Sequence, residues 1–302
     1  MNLLMRRLAL IAFLACSATA SEIAITFDDL PVVTSADLIA RQQRITRDLL
    51  AHLTSRKIPV VGLVNTGKLA TPAHVALLDR WLEAGFELGN HTHSHRDLHV
   101  ISAEAFEVDI VMGETPLRDV IRRRGGTLRY FRHPFLHTGR SDDVRARIDA
   151  FLAKRGYTVA PVTIDNSEWI FARAYERADR SVRAKVVNAY LDYMMAKVEY
   201  HDAEAKKLFD REIRQVLLVH ANALNAEAFG KLADRLAKRG HRFITLERAL
   251  EDPAYQSRDG WRGAGGISWL DRWALTRGVP KGFFANEPRT PQWVQDLAGI
   301  EE

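Results

Sequence analysis

Seven short apolar runs, at residues 21–27, 59–64, 86–89, 128–131, 157–164, 216–219 and 242–244, are separated by longer stretches of helical character. In residues 36–57, Leu38, Ile45, Leu49, Leu50 and Leu53 fall close to helical spacing. Thr71-Pro72 reads as an N-cap followed by proline at the first helical position, opening a helix that reaches Ala84. Residues 102–124 and 141–155 also read as helices, the first with an interruption near Gly113 or Pro116. Strand and helix in alternation predict parallel strands joined through helices, in a doubly wound sheet or a barrel.

The placement of reactive side chains decides between the two. Asp28-Asp29, the cluster from His91 to His95, Arg132, Asp165 and His220 all fall just past the C-terminal ends of apolar runs. A βα-barrel gathers those ends on one face. The expected fold is therefore α/β, a distorted (β/α)7-type barrel. Residues 170–215 read as a charged helical insertion, and residues 251–302 as a C-terminal extension packing on a domain that spans 21–250. That extension carries Trp261, Trp269, Trp273 and Trp293, which suit inward packing better than a sugar-stacking surface.

A carboxylate pair closing an apolar strand is costly unless it has work to do. One aspartate with two histidines is a ligand set suited to zinc with an open coordination position. Asp29 is the candidate ligand, and Asp28 is left free as a general base. His91 and His95, four apart, share one face of a helical turn; in an extended chain His93 joins that face instead. Arg132, after Tyr130-Phe131, needs an anionic partner, and Asp28 suits it. Pro134 stiffens the following turn and aims the Phe135 N–H toward an oxyanion. His220 is placed to act as a general acid, with Asp165 and Glu168 as carboxylates to tune it.

Residues 1–20 read as a secretory leader: Arg6-Arg7, an apolar run from Leu8 to Cys16, then Ala18-Thr19-Ala20 before Ser21. The run is too short to span a bilayer. Cys16, the only cysteine, would leave with the leader, so metal ligands must come from His, Asp and Glu. The formal charge of +5 is mildly basic, and no basic stretch interleaves with aromatics, which argues against nucleic acid as a partner.

Taken together, the motifs resemble the polysaccharide deacetylase, or NodB-homology, domain of carbohydrate esterase family four, over residues 21–250. Five stand in the family's order: Thr26-Phe27-Asp28-Asp29, His91-Thr92-His93-Ser94-His95, Arg132-His133-Pro134-Phe135, Asp165-Asn166-Ser167-Glu168-Trp169 and Leu218-Val219-His220. The resemblance implies Asp28 as base, Asp29, His91 and His95 as ligands of Zn2+ or another divalent metal, and His93 at a variable position. It implies Arg132 beside the base, His220 as acid, and Trp169 and Leu218 around the acetyl methyl. Leu30, His133 and Glu168 depart from the family's usual Gly, Pro and Asp.

The function this implies is an exported, metal-dependent hydrolase that removes acetyl groups from N- or O-acetylated carbohydrate. An amidohydrolase or phosphoesterase using His-x-His is a rival, although such folds carry that pair on the first strand. A catalytically idle glycan-binding module is a rival of another class.

Overall fold

The structure, a computed structural model, describes residues 21–34 and 38–302; the expected leader lies outside them. Strand β1 (Glu22–Leu30) is buried along most of its length, as a central parallel strand should be. On one side β1 pairs with β2 (Val60–Val64), which leads to β3 (Glu87–Asn90), β4 (Tyr130–Phe131) and β5 (Thr158–Val159). On the other side it pairs with β6 (Gln215–His220). The short β7 (Arg242–Ile244) pairs with the first residues of β1. Every one of these pairings is parallel.

The sheet curls into a ring. Past β5 the chain returns to pair Ile164 with Leu217 of β6, which joins the two ends. The sequence suggests one strand over 157–164, but regular pairing stops at Val159. Pro161 has no N–H to give a ladder. The carbonyls of Ala160 and Pro161 instead accept from the Arg132 guanidinium, at 3.0 and 3.4 Å. The fold class is thus the distorted α/β barrel expected from the alternation and from the reactive residues at the strand ends.

Helices α1 (Ile39–Ser55), α2 (Pro72–Glu83), α3 (Ala103–Arg122) and α4 (Asp142–Lys154) follow the first four strands. The expected interruption of α3 does not occur: the helix runs through both Gly113 and Pro116. A Cβ at Gly113 would meet Asn90 Oδ1 at 2.5 Å and Thr92 C at 2.8 Å, so the glycine lets the helix press on the histidine loop. Pro116 cannot bond the Met112 carbonyl; Thr66 Oγ1 approaches that oxygen instead, at 3.5 Å.

Between β5 and β6 lie α5 (Glu168–Arg177) and the long α6 (Arg180–Phe209); α7 (Ala223–Lys238) and α8 (Leu246–Leu250) come later. In the C-terminal segment, α9 (Trp269–Thr276) buries Trp269, Leu270 and Trp273 with Leu136, Val162 and Leu218. Helix α10 (Gln292–Ala298) packs on α5. Trp293 lies under the Lys185 ammonium at 4.3 Å. Among the described residues, no helix is long and apolar enough to cross a membrane.

Candidate active site

The register of β1 against β6 sets Asp28 beside His220. The pairing of β1 with β2 slips between Phe27 and Leu30, and Asp29 takes a left-handed backbone, φ 67°. That irregularity turns adjacent carboxylates to different partners. Asp28 Oδ1 accepts from Arg132 at 2.7 Å, and both side chains are buried. Arg132 also donates to Thr26 Oγ1 at 2.8 Å. Burial pushes the Asp28 carboxyl above its ordinary range, against the pull of Arg132 and His220.

Asp29 Oδ1 is buried and accepts no hydrogen bond. It lies 3.7 Å from His91 Nε2 and 3.5 Å from His95 Nε2. These separations suit three atoms sharing one cation with bonds of about 2.1 Å. His91 Nδ1 is held by the Arg132 carbonyl at 2.8 Å, which turns Nε2 toward Asp29. Burial lowers His91 to about 4 and His95 to about 4, so both rings are neutral near pH 7 and offer lone pairs. Burial would raise Asp29, but Lys68, His91 and His95 outweigh it and bring it to about 2. The donor set fits a divalent metal.

The stretch 91–95 is neither helix nor strand but a loop with Thr92 and His95 left-handed, φ 65° and 53°. His91 and His95 meet edge to face at 4.9 Å, and His93 turns away to Thr66 Oγ1 at 3.1 Å. Of the eight non-glycine residues with positive φ among those described, five are Asp29, Thr92, His95, Phe135 and Leu136. Such strain concentrates where a site holds groups in place.

His220 Nδ1 meets Glu168 Oε2 at 2.8 Å. Asn225 donates to the other Glu168 oxygen at 2.8 Å, and so does Asn222. Burial opposes the charged imidazole, but Glu168, with Asp29 and Asp28 beyond it, pushes His220 up to about 9. Of the two carboxylates in the fourth motif, the structure sets Glu168 against His220. Asp165 takes the Asn166 N–H at 2.9 Å and lies near Lys197; it bonds neither His220 nor Arg132.

Asp28, Asp29, His91, His95, Asp165 and His220 line one cavity of about 640 Å³. Phe135, Trp169 and Leu218 line it too, with Phe135 and Trp169 half exposed at its mouth. Sequence reasoning missed several contributors. Lys68 donates to the Asp29 carbonyl at 3.0 Å, and Gly67-Lys68 carries no motif to mark it. Asn222 and Asn225 follow His220 with the spacing of a helix cap, which was a usable signal. Lys197 of the insertion and Gly266, Glu287 and Glu302 of the C-terminal segment also face the cavity. His133, next to Arg132, is buried with neither ring nitrogen bonded.

A family model described as polysaccharide deacetylase matches residues 17–159. No curated protein matches the chain. Among solved structures, the chitin deacetylase from the fungal pathogen Colletotrichum lindemuthianum is similar, with 20% identity over 81% of this chain and 92% of that one, TM-score 0.52. A CE4 family pseudoenzyme from Bacillus anthracis shows 12% identity over 76% of this chain and 66% of its own, TM-score 0.52. A mutant CE4 family pseudoenzyme with restored enzymatic activity shows 15% identity over 76% and 68%, TM-score 0.52. At these identities the three likenesses speak for the fold. The chain is thus similar to the polysaccharide deacetylase family over residues 17–159, and shares its barrel fold with these three structures.

Proposed function

We propose that this protein is a metal-dependent deacetylase acting on N- or O-acetylated carbohydrate. One observation carries the reading: Asp28 with Arg132, the Asp29–His91–His95 set, and His220 with Glu168 converge on a single cavity. A phosphoesterase or amidohydrolase would need some other use for the Glu168–His220 pair.

Asp29, His91 and His95 would hold the ion, with zinc the best suited to two nitrogens and one oxygen. When bound, it polarises the acetyl carbonyl and makes nearby water more acidic. Asp28 takes the proton from the attacking water. Arg132, 2.7 Å from its Oδ1, fixes its orientation. The Phe135 N–H, with no acceptor among the described residues, donates to the developing oxyanion. His220, with Nδ1 anchored by Glu168, gives the Nε2 proton to the departing amine or alcohol. Leu218 and Trp169 accept the acetyl methyl. Asp165 is a cavity-wall carboxylate rather than the partner of acid or base. The leader reading adds that the protein works outside the cytoplasm, where acetylated envelope and matrix glycans are found.

The test is acetate release by residues 21–302 from acetylated oligosaccharides, with zinc and with a chelator. Chelator-sensitive release supports the reading. Release that the chelator leaves unchanged, or bound glycan without turnover at full metal occupancy, overturns it; the latter is the behaviour of a pseudoenzyme.

A further inference from the structure

The loop carrying the Phe135 N–H is strained. Phe135 and Leu136 are consecutive left-handed residues, each with φ 56°. Neither is glycine, and both side chains clash mildly with their own backbone in that region. Such a conformation persists only where neighbours over-determine it. Within the loop, the Leu136 and His137 N–H groups bond His133 and Pro134 carbonyls at 3.1 and 3.0 Å. Those bonds leave the carbonyls of Phe135 and Leu136 unaddressed.

The C-terminal segment addresses both. Gly266 packs on the Phe135 carbonyl so closely that a Cβ there would overlap its oxygen and lie 2.9 Å from its carbon. Gly266 does not have a positive φ, so close approach is what requires glycine here. Next, Arg272, 1% exposed, donates to the Leu136 carbonyl and, at 3.0 Å, to Thr138 Oγ1. Its guanidinium is itself fixed, by Asp259 at 3.4 Å, by the Ile267 carbonyl at 3.1 Å and by the Trp269 ring at 4.1 Å. Asp259 also pairs with Arg145 at 3.0 Å. The segment is tied down by the Trp269 N–H to the Val162 carbonyl at 2.7 Å, and by His99 to the Ala264 carbonyl at 3.2 Å.

We infer that residues 259–272 clamp the oxyanion loop, with Gly266 and Arg272 as positioning residues for the Phe135 amide. The peptide that joins Phe135 to Leu136 is held at its oxygen, and the next at its own. The amide on the other side of Phe135 then has one orientation, toward the cavity. An oxyanion donor works only when it is held in place before charge develops. The role in turnover rests on the deacetylase reading; the clamp itself does not.

The test compares residues 21–302 with Gly266→Ala, Arg272→Lys and Arg272→Ala, and with Gly265→Ala as control. A Cβ at Gly265 meets only Ile267 Cγ2, at 3.8 Å. Two readouts are taken: amide hydrogen exchange over residues 131–138, and kcat and KM for acetate release from an acetylated chito-oligosaccharide. Gly266→Ala and Arg272→Ala should raise exchange at 135–137 at least about tenfold and lower kcat about ten- to a hundredfold. Metal content should stay within about twofold in both, and KM within about twofold in Arg272→Ala, since neither residue belongs to the Asp29–His91–His95 set and Arg272 does not line the cavity. Arg272→Lys should recover part of kcat, and Gly265→Ala should match the parent. Unchanged exchange in Gly266→Ala and Arg272→Ala overturns the clamp. So does a kcat loss matched by exchange raised throughout the molecule, which is general unfolding. If the parent releases no acetate, the deacetylase reading fails, and local exchange alone decides the clamp.

Discussion

Replacing Glu168 by glutamine tests the acid side of the site directly. Glu168 is fully buried, with one oxygen 2.8 Å from His220 Nδ1 and the other taken by Asn222 and Asn225. That geometry lifts His220 from its ordinary 6.5 to about 9, despite burial. The difference corresponds to about 3 kcal/mol in favour of the imidazolium. Glutamine keeps the shape but removes the charge. Its oxygen is retained by the two asparagines, so its NH2 faces Nδ1 and favours the neutral ring. His220 should then titrate near or below about 6.5. At about pH 8 a group titrating near 9 is roughly nine-tenths protonated, and one near 6.5 only about 3%. If His220 must carry its proton, kcat/KM falls roughly thirtyfold at about pH 8 and less than about twofold at about pH 6. The assay is a pH profile of acetate release for both proteins. An alkaline limb that stays near 9 in Glu168→Gln, or a loss equal at every pH, refutes the assignment of His220 as the acid tuned by Glu168.

Asp28→Asn should retain bound metal but lose about 10²-fold or more in kcat, read by metal analysis and acetate release; near-normal turnover with metal bound sinks the base assignment. His91→Ala should lose metal and activity together, because one of three ligands goes; unaltered metal content rules His91 out as a ligand. Adding zinc should raise the melting temperature of the parent but not of His91→Ala, since a ligand that binds only the folded state stabilises it. Glu204, 1% exposed on α6, is pushed up from 4.5 to about 7, mainly by burial. Its folded pKa exceeds its unfolded one, so this group's contribution to stability is most favourable below about pH 4.5 and falls by up to about 3 kcal/mol as pH rises to about 7. Glu204→Gln mimics the protonated form and should stabilise at about pH 8 but not at about pH 4.5, read by urea unfolding; an equal change at both pH values refutes this.

Much of the barrel was legible because its strands and helices are locally patterned. Ile23, Ile25 and Phe27 repeat at strand spacing, and Leu49 and Leu53 at helical spacing, so period alone reads them. The departures arose where one segment answered to another. Helix α3 continues past Gly113 and Pro116 because the histidine loop and Thr66 meet it there. The fifth strand breaks at Pro161, which has no N–H for a ladder, and Arg132 takes the carbonyls of Ala160 and Pro161. In the same way His91 and His95 meet not through helical periodicity but through left-handed Thr92 and His95, which no spacing rule anticipates.

The chain's own order of residues determined the chemistry available: an aspartate pair, a histidine cluster, an arginine and a histidine, each at the end of an apolar run. Those are local facts, written in neighbouring residues. Tertiary structure decided the partnerships. It set Asp28 against Arg132, which lies 104 positions away, and gave His220 to Glu168 rather than Asp165. It also brought Gly266 and Arg272 onto the loop at Phe135 and Leu136. A carboxylate's partner, and a strained loop's support, depend on which distant segments share one cavity wall. Sheet closure and burial settle that, and the residues beside each group in the chain do not.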